Sequence, residues 1–404
     1  MFASPGRIGR TKRAVVWIVT AAACLGAAPT ATASDFIDPA LTRVVNPRSA
    51  SMGGPYAAWD NGVDTLFANP AALATADQEL QITELTVRLS GPVFSLSSAI
   101  AEAIDDDPEE VLTTPEVTDL TRNLYTRVGL TGPIAFGFVG EGVGFGLFTD
   151  TGLRIETVSG RTLELAAEER LLAVGGVGFR LPLPADTRGD LYGGVIMKGF
   201  MHGESSFQED LLEIPDLVDD ADFGRFLDEP FVLTTGVGFD LGLRYARTER
   251  LTYAVTAFNV LAPAVETRYA SLDDFLDGED FEERDRLWAP TELNLGVRYR
   301  PETPERWSGV EYLQLYADYR DAIDFLVRPD ETDNIALKPA IGAELRLLKV
   351  LSLRAGFARG LPAAGFGIDA GPVEINTAVF GTELSGEPGL RPVFNAMFGA
   401  RVRL

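Results

Sequence analysis

The stretch LTTGVGFDLGLRY, residues 233–245, alternates almost without a break. Leu233, Val237, Phe239, Leu241, Leu243 and Tyr245 fall on one face, interrupted only by Thr235. Thr234, Gly236, Gly238, Asp240, Gly242 and Arg244 fall on the other. Successive side chains of a strand point to opposite faces, so one side is greasy and the other combines glycine with charges of both signs. Globular strands average roughly 5–6 residues, whereas a tilted membrane strand needs about 9–11. The length and the glycine-and-charge face favour a membrane barrel over a soluble sandwich, because such a face suits a lumen holding water or a plug.

The same scheme recurs along the chain. In residues 291–300, Leu293, Leu295, Val297 and Tyr299 oppose Glu292, Asn294, Gly296, Arg298 and Arg300. Residues 311–320 set Leu313, Leu315, Ala317 and Tyr319 against Gln314, Tyr316, Asp318 and Arg320. The last eleven residues carry Phe394, Ala396, Phe398, Ala400, Val402 and Leu404 on one face and Asn395, Met397, Gly399, Arg401 and Arg403 on the other. Candidate strands lie near 80–90, 125–131, 133–140, 142–150, 153–158, 162–182, 189–202, 231–246, 250–261, 286–300, 309–322, 335–348, 350–358, 363–370, 372–380 and 391–404. Some of these merge or are loops, and single-chain bacterial barrels have even strand numbers. The expectation is an all-β, transmembrane antiparallel β-barrel of about 14 strands (12–16) over residues 80–404.

The N-terminus reads as an export leader over residues 1–33. Arg7, Arg10, Lys12 and Arg13 precede an apolar run from Ala14 to Leu25, and Ala31-Thr32-Ala33 offers a cleavage site before Ser34. A lipoprotein leader acylated at Cys24 is the rival reading. Cys24 is the single cysteine, so the mature chain can form no disulfide or thiolate site. The single histidine, His202, reads as a polar residue near a strand end. It excludes a histidine-rich metal site, and it is the one candidate base should the protein be a lipid hydrolase. With 59 acidic residues against 35 basic ones and a net charge of −24, nucleic acid and anionic surfaces are poor partners. Past residue 33 no apolar run approaches the 18 residues of a membrane helix.

Residues 34–79 lack alternation and read as a plug. Arg48-Ser49-Ala50-Ser51-Met52-Gly53-Gly54-Pro55 leads to Asp60-Asn61-Gly62 and then to Leu66-Phe67-Ala68-Asn69-Pro70-Ala71-Ala72-Leu73. Asn69-Pro70 is a sound helix start, with asparagine capping free amides and proline at the first position. Gly53-Gly54 permits backbone angles that other residues resist. A Gly-Gly turn followed by an Asn-Pro-Ala element resembles the N-terminal region of the FadL-like outer-membrane proteins. Pro55, Ala68 and Ala72 depart from the family's usual Met-Gly-Gly-Ala and Tyr-Asn-Pro-Ala-Gly-Leu. Gly342-Ala343-Glu344, Leu353-Arg354-Ala355-Gly356-Phe357 and Gly365-Phe366-Gly367-Ile368 resemble the family near the other end. The likeness implies a plugged barrel in the outer membrane of a diderm bacterium, surrounded by outer-membrane lipid. It also implies a closing strand read by the barrel-assembly machinery, although the chain ends in Leu404 rather than an aromatic residue. Gly53, Gly54, Asn69, Pro70 and Leu73 form the plug motif.

Three acidic insertions interrupt the strands, at Ala101–Leu120, Glu204–Pro230 and Ser271–Arg286. The second holds ten acidic residues and one base, Arg225, yet Phe207, Leu211, Ile214, Leu217 and Val218 recur at three- and four-residue spacing. Phe223, Phe226 and Leu227 follow, and Leu272, Phe275 and Leu276 repeat the pattern in the third insertion. These read as short amphipathic helices in long extracellular loops. Such stripes either pack on the rim or form a greasy entrance, for which Leu211, Leu217, Phe223, Phe226, Leu227, Phe275 and Leu276 are the candidate ligand-binding residues. FadL-like proteins use their loops in that way, although only Arg225, Arg284 and Arg286 stand near to meet a carboxylate. The leading expectation is passive uptake of hydrophobic small molecules such as long-chain fatty acids, with no catalysis, cofactor or metal. The alternative is a non-transport barrel that docks protein partners as a secretion-system accessory.

Overall fold

A computed structural model describes residues 36–105, 114–159, 161–214, 224–303 and 309–404. The leader, Cys24 included, and the loop residues Leu217, Val218 and Phe223 lie outside the described residues.

The first described residues lie inside the barrel that the later strands build. Residues 36–78 contain the short helix α1 (Pro47–Ala50) and three 3₁₀ turns, Pro39–Thr42, Val63–Phe67 and Pro70–Ala74. Strands follow: β1 (Glu79–Ser90), β2 (Tyr125–Gly140), β3 (Val143–Ser159), β4 (Thr162–Leu181), β5 (Asp190–Asp210), β6 (Phe231–Ala246), β7 (Leu251–Leu261) and β8 (Pro263–Tyr269). They continue as β9 (Glu283–Trp288), β10 (Glu292–Tyr299), β11 (Val310–Tyr319), β12 (Pro339–Leu347), β13 (Leu351–Ala358), β14 (Leu361–Asp369), β15 (Val373–Glu383) and β16 (Pro392–Arg403). Each barrel strand pairs antiparallel with its neighbour, and β1 pairs with β16 through contacts such as Val87 opposite Phe398, which closes the wall.

The wall has 14 strands, because β7 with β8, and β9 with β10, are two strands broken in their middle. β6 pairs with β8 over Phe231–Gly236 and with β7 from Phe239 to Ala246. At the break Asn259 adopts φ 52°, its N–H donates to Asp240 Oδ1 at 2.9 Å, and its side-chain amide reaches the Pro290 carbonyl at 3.3 Å. Sequence alternation missed β8 and placed one strand over 286–300, because proline and a buried bend erase the period at that point. The expected pairs 125–131 with 133–140, and 142–150 with 153–158, are single strands β2 and β3. β11 stops at Tyr319 and β12 starts at Pro339, both shorter than the 309–322 and 335–348 expected.

β5 also runs to Asp210, well past the expected 202. Phe207 is therefore a strand residue and not part of a helix, and His202 lies in the middle of β5 rather than near its end. The first insertion is helical from Val93, eight residues earlier than expected: α2 spans Val93–Asp105 and α3 spans Pro115–Thr121. Helices α4 (Arg225–Asp228) and α5 (Leu272–Asp277) occupy the other two.

The two ends of the barrel differ. At one end the chain turns within a few residues at 141–142, 348–350 and 370–372, and Leu404 ends there. The other end carries the long loops at 91–124, 211–230, 270–282 and 320–338. The wall is also lopsided. β4 and β5 have 20 and 21 residues while β13 has 8, and at about 3.3 Å per residue β4 and β5 overtop the short side. Alternation holds as read. Met197, Val237, Leu241, Leu295, Phe357, Phe394 and Phe398 are exposed outward, and Lys198, Asp240, Arg244, Arg354 and Arg401 are buried inward.

Candidate functional site

The inward glycines explain how a plug fits so closely. A Cβ on Gly242 would overlap Asn69 Oδ1 and lie 2.9 Å from the Ala71 nitrogen. One on Gly194 would lie 2.5 Å from the same nitrogen, and one on Gly356 would lie 2.7 Å from Met52 Cα. Gly144, Gly178, Gly296, Gly342 and Gly399 likewise face Leu73, Ala74, Ala57, Tyr56 and Pro47 within 3.0 Å. The plug therefore lies directly on the backbone of the wall, with its own backbone at Met52, Pro70, Ala71 and Ala74 and with side chains at Pro47, Tyr56, Ala57 and Leu73, and any larger side chain at these positions would push the two apart.

Charge then fixes the register between them. Arg48 pairs with Glu344 at 3.1 Å, and Arg354 holds the second oxygen of Glu344 at 2.6 Å. Arg43 meets Glu292 at 2.6 Å, and Arg401 bridges Asp64 at 2.8 Å and Glu84 at 3.0 Å. Asp60 is clamped between Arg244 and Arg298. Asp318 accepts the Ala57 N–H at 2.8 Å, and Tyr56 and Trp59 stack on Tyr316 at 5.1 and 5.9 Å. Buried charges are tolerable only when paired and hydrogen-bonded, so each partner on the plug is needed by one on the wall.

The plug motif lies within this interface. Gly53 and Gly54 have φ of 87° and 111°, and the turn presents the Gly53 and Pro55 carbonyls to Arg320 at 2.7 and 3.2 Å. Asn69 caps the 3₁₀ turn by accepting the Ala71 N–H at 2.9 Å, and its amide donates to the Ala57 carbonyl at 2.9 Å and approaches Leu243 and Val255 carbonyls. Pro70 opens that turn, and Leu73 is fully buried with Leu66, Phe67 and Phe148.

Above the plug, on the long-loop side, a vestibule of about 650 Å³ remains open. Its floor is the start of the plug, Phe36 to Leu41, together with Leu287. Its walls carry Arg127, Arg154 and Arg170 from β2, β3 and β4. Asp150 is shared by Arg127 and Arg170 at 3.3 and 3.0 Å, and Arg154 spans Glu168 and Glu204 at 3.0 Å each. His202 stands 3.5 Å from Glu204. Sequence reading did not pick out these arginines, although each occupies the polar face of an alternating strand. Three strands must be aligned before they converge.

The loop residues divide into two groups. Leu211 is buried with Phe207, Leu163 and Leu165 beneath Leu96, Ala99, Val117 and Leu124, and Phe226 packs on Phe207 at 4.9 Å. Leu163 and Leu165 alternate with Glu164, which faces Arg154 in the lumen, so this cluster covers the outer side of the overhanging wall. Phe275 is half-buried against Phe231 at 4.9 Å and Tyr269 at 5.2 Å. Leu227 and Leu276 are exposed. The Leu272 N–H donates to the Glu229 carbonyl at 3.2 Å, tying the two loops together.

No protein-family model matches the chain, and no curated protein matches it in sequence. Among solved structures it is similar to the toluene transporter TbuX of Ralstonia pickettii at 14% identity and a TM-score of 0.44, covering 89% of this chain and 97% of that one. A Pseudomonas aeruginosa FadL homologue gives 13% identity and a TM-score of 0.43, with 90% and 98% covered. The Pseudomonas putida toluene transporter TodX gives 14% and 0.41, with 90% and 97% covered.

Proposed function

We propose that this chain is an outer-membrane channel for passive uptake of small hydrophobic molecules, with long-chain fatty acids as the candidate ligands. The observation that carries the reading is the vestibule: a cavity open on the long-loop side, with an apolar floor made by the plug and a wall of arginines paired with carboxylates. An amphipathic molecule can lay its chain on Ile37, Leu41 and Leu287 while its carboxylate competes for Arg127, Arg154 or Arg170. In this reading the exposed Leu227 and Leu276 make first contact, while Leu211, Phe226 and Phe275 hold the loops in place. In the same reading the end with the short turns faces the periplasm.

In this reading passage begins with movement of the leading segment, which no buried ion pair holds. Phe36 and Ile37 are held to the Trp288 edge by the Ile37 N–H at 2.9 Å, and Arg170 reaches the Ala40 carbonyl at 2.7 Å. The buried ion pairs begin only at Arg43. Binding of a fluorescent long-chain fatty acid to protein in detergent tests the proposal. Leu41→Asp and Leu287→Asp are expected to weaken it about tenfold or more, since each places a charge where the chain would lie. Unchanged affinity refutes the vestibule site. No binding by the wild type, with a stoichiometric protein partner recovered from native membranes, would favour the docking alternative.

A further inference from the structure

Gly199 on β5 is a glycine without an internal reason. Its φ is not left-handed, and a Cβ built on it would meet nothing within 4 Å. Every other glycine in the described strands has an atom within that distance. Glycine weakens a strand and often marks close approach by something else. The gap lies on the outward face, in a groove of about 550 Å³ bounded by Leu171, Gly199, Met201, Val237, Pro263 and Val265. Leu171, Met201 and Val237 are exposed there, so hydrocarbon is the natural filling.

The edge toward the long-loop end is cationic on its β9 side, while the exposed Glu169, two residues from Leu171 on the outward face of β4, closes its far side. Arg286 pairs across the ladder with groove residue Val265, and Arg284 with Thr267, so both guanidiniums leave from the outward face just above the hollow. Both are exposed. Among the described residues Arg286 has no ion-pair partner, and the partner of Arg284 is the Phe281 ring at 5.5 Å. The neighbouring loop is acidic and exposed at Asp277, Glu279, Asp280 and Glu282.

We infer that this groove seats one membrane phospholipid with an amino headgroup. One acyl chain lies over Gly199, the phosphate meets Arg286 and Arg284, and the ammonium faces the acidic loop. Arginine is suited to phosphate by its fork of donors, and interfacial cations above apolar surface match a lipid's own polarity gradient. The acidic neighbours favour a zwitterionic head over a purely anionic one. The inference needs the barrel to lie in a membrane but is independent of what the barrel carries.

Native mass spectrometry of the full mature chain in maltoside detergent, titrated with dioleoylphosphatidylethanolamine, tests it. The wild type is expected to hold one lipid, and Gly199→Phe, which fills the hollow, to lower that affinity about tenfold or more. Arg286→Gln is expected to do the same, and dioleoylglycerol, lacking the phosphate, to bind wild type no better than the phospholipid binds Arg286→Gln. Should Gly199→Phe fail to form a compact barrel, Gly199→Val serves in its place. Equal lipid binding by wild type and both variants overturns the assignment. So does a dimer that the Gly199 variant dissolves while lipid binding persists, since a second copy would then occupy the groove. Fatty-acid binding by the vestibule, measured separately, is expected to be unaffected by the Gly199 variant.

Discussion

A single methyl group on the inner wall should detach the plug while leaving the barrel intact. In Gly242→Ala the new Cβ overlaps Asn69 Oδ1 and lies 2.9 Å from both the Ala71 nitrogen and Pro70 Cδ. The strand cannot retreat, because Gly242 pairs with Gly194 on one side and Thr256 on the other. Asn69 must move instead. Overpacking costs about 1–3 kcal/mol. Losing the cap to Ala71 costs about 0.5–2 kcal/mol, and losing the bond to the Ala57 carbonyl costs about 1 kcal/mol. Part of the overlap relaxes as the cap is lost, so the total is about 2–5 kcal/mol. At roughly 1.4 kcal/mol per tenfold, the open-plug population rises about 30-fold to several thousandfold. The reporter is Thr65→Cys, at a fully buried side chain whose hydroxyl has no hydrogen-bond partner among the described residues. Thiol labelling at that position should accelerate in Gly242→Ala by such a factor while strand content stays unchanged. Gly199→Ala, whose Cβ meets open space, should label at the wild-type rate. Equal labelling in the wild type and Gly242→Ala would refute the claim that inward glycines are there to admit the plug.

Asp60→Asn should free the plug by about 3–5 kcal/mol, since it leaves Arg244 and Arg298 facing one another without an anion; adding Arg298→Met should recover part of the loss, read by the same labelling. Phe226→Ala removes a half-buried ring from Phe207 and should loosen the 211–230 loop by about 1–2 kcal/mol, seen as faster proteolysis there with no change in barrel melting. The Asp321 carboxyl, in the loop beyond β11, is raised to about 6 by burial and by Glu292, against the Arg328 guanidinium at 2.6 Å. A raised carboxyl is held protonated more tightly in the folded loop, so its contribution is complete below the ordinary value near 4 and is lost as pH rises to about 6. Hydrogen-exchange protection in residues 320–338, taken relative to the intrinsic exchange rate at each pH, should therefore fall across that window, and Asp321→Asn should flatten the response.

Period two in the sequence determined the barrel, because a strand whose faces meet lipid and lumen must alternate its polarity. It also assigned the faces correctly: Phe239 and Leu241 look outward, and Asp240 and Gly242 look inward. The Gly-Gly turn and the Asn-Pro cap were legible too, since both act through local backbone geometry. What alternation could not carry was anything set by several strands together. β8 was missed because Asn259 and the Ala289–Thr291 bend interrupt the period for the sake of the fold. Phe207 read as helical because a strand covered on its outer side by α2, α3 and α4 has apolar residues on a face where lipid was not expected. The arginines of the vestibule converge only once β2, β3 and β4 are in register. The purpose of the inward glycines likewise depended on the tertiary structure. Alone in a strand each is a weakness, and only with the plug in place do Gly194, Gly242 and Gly356 become the room that one backbone makes for another.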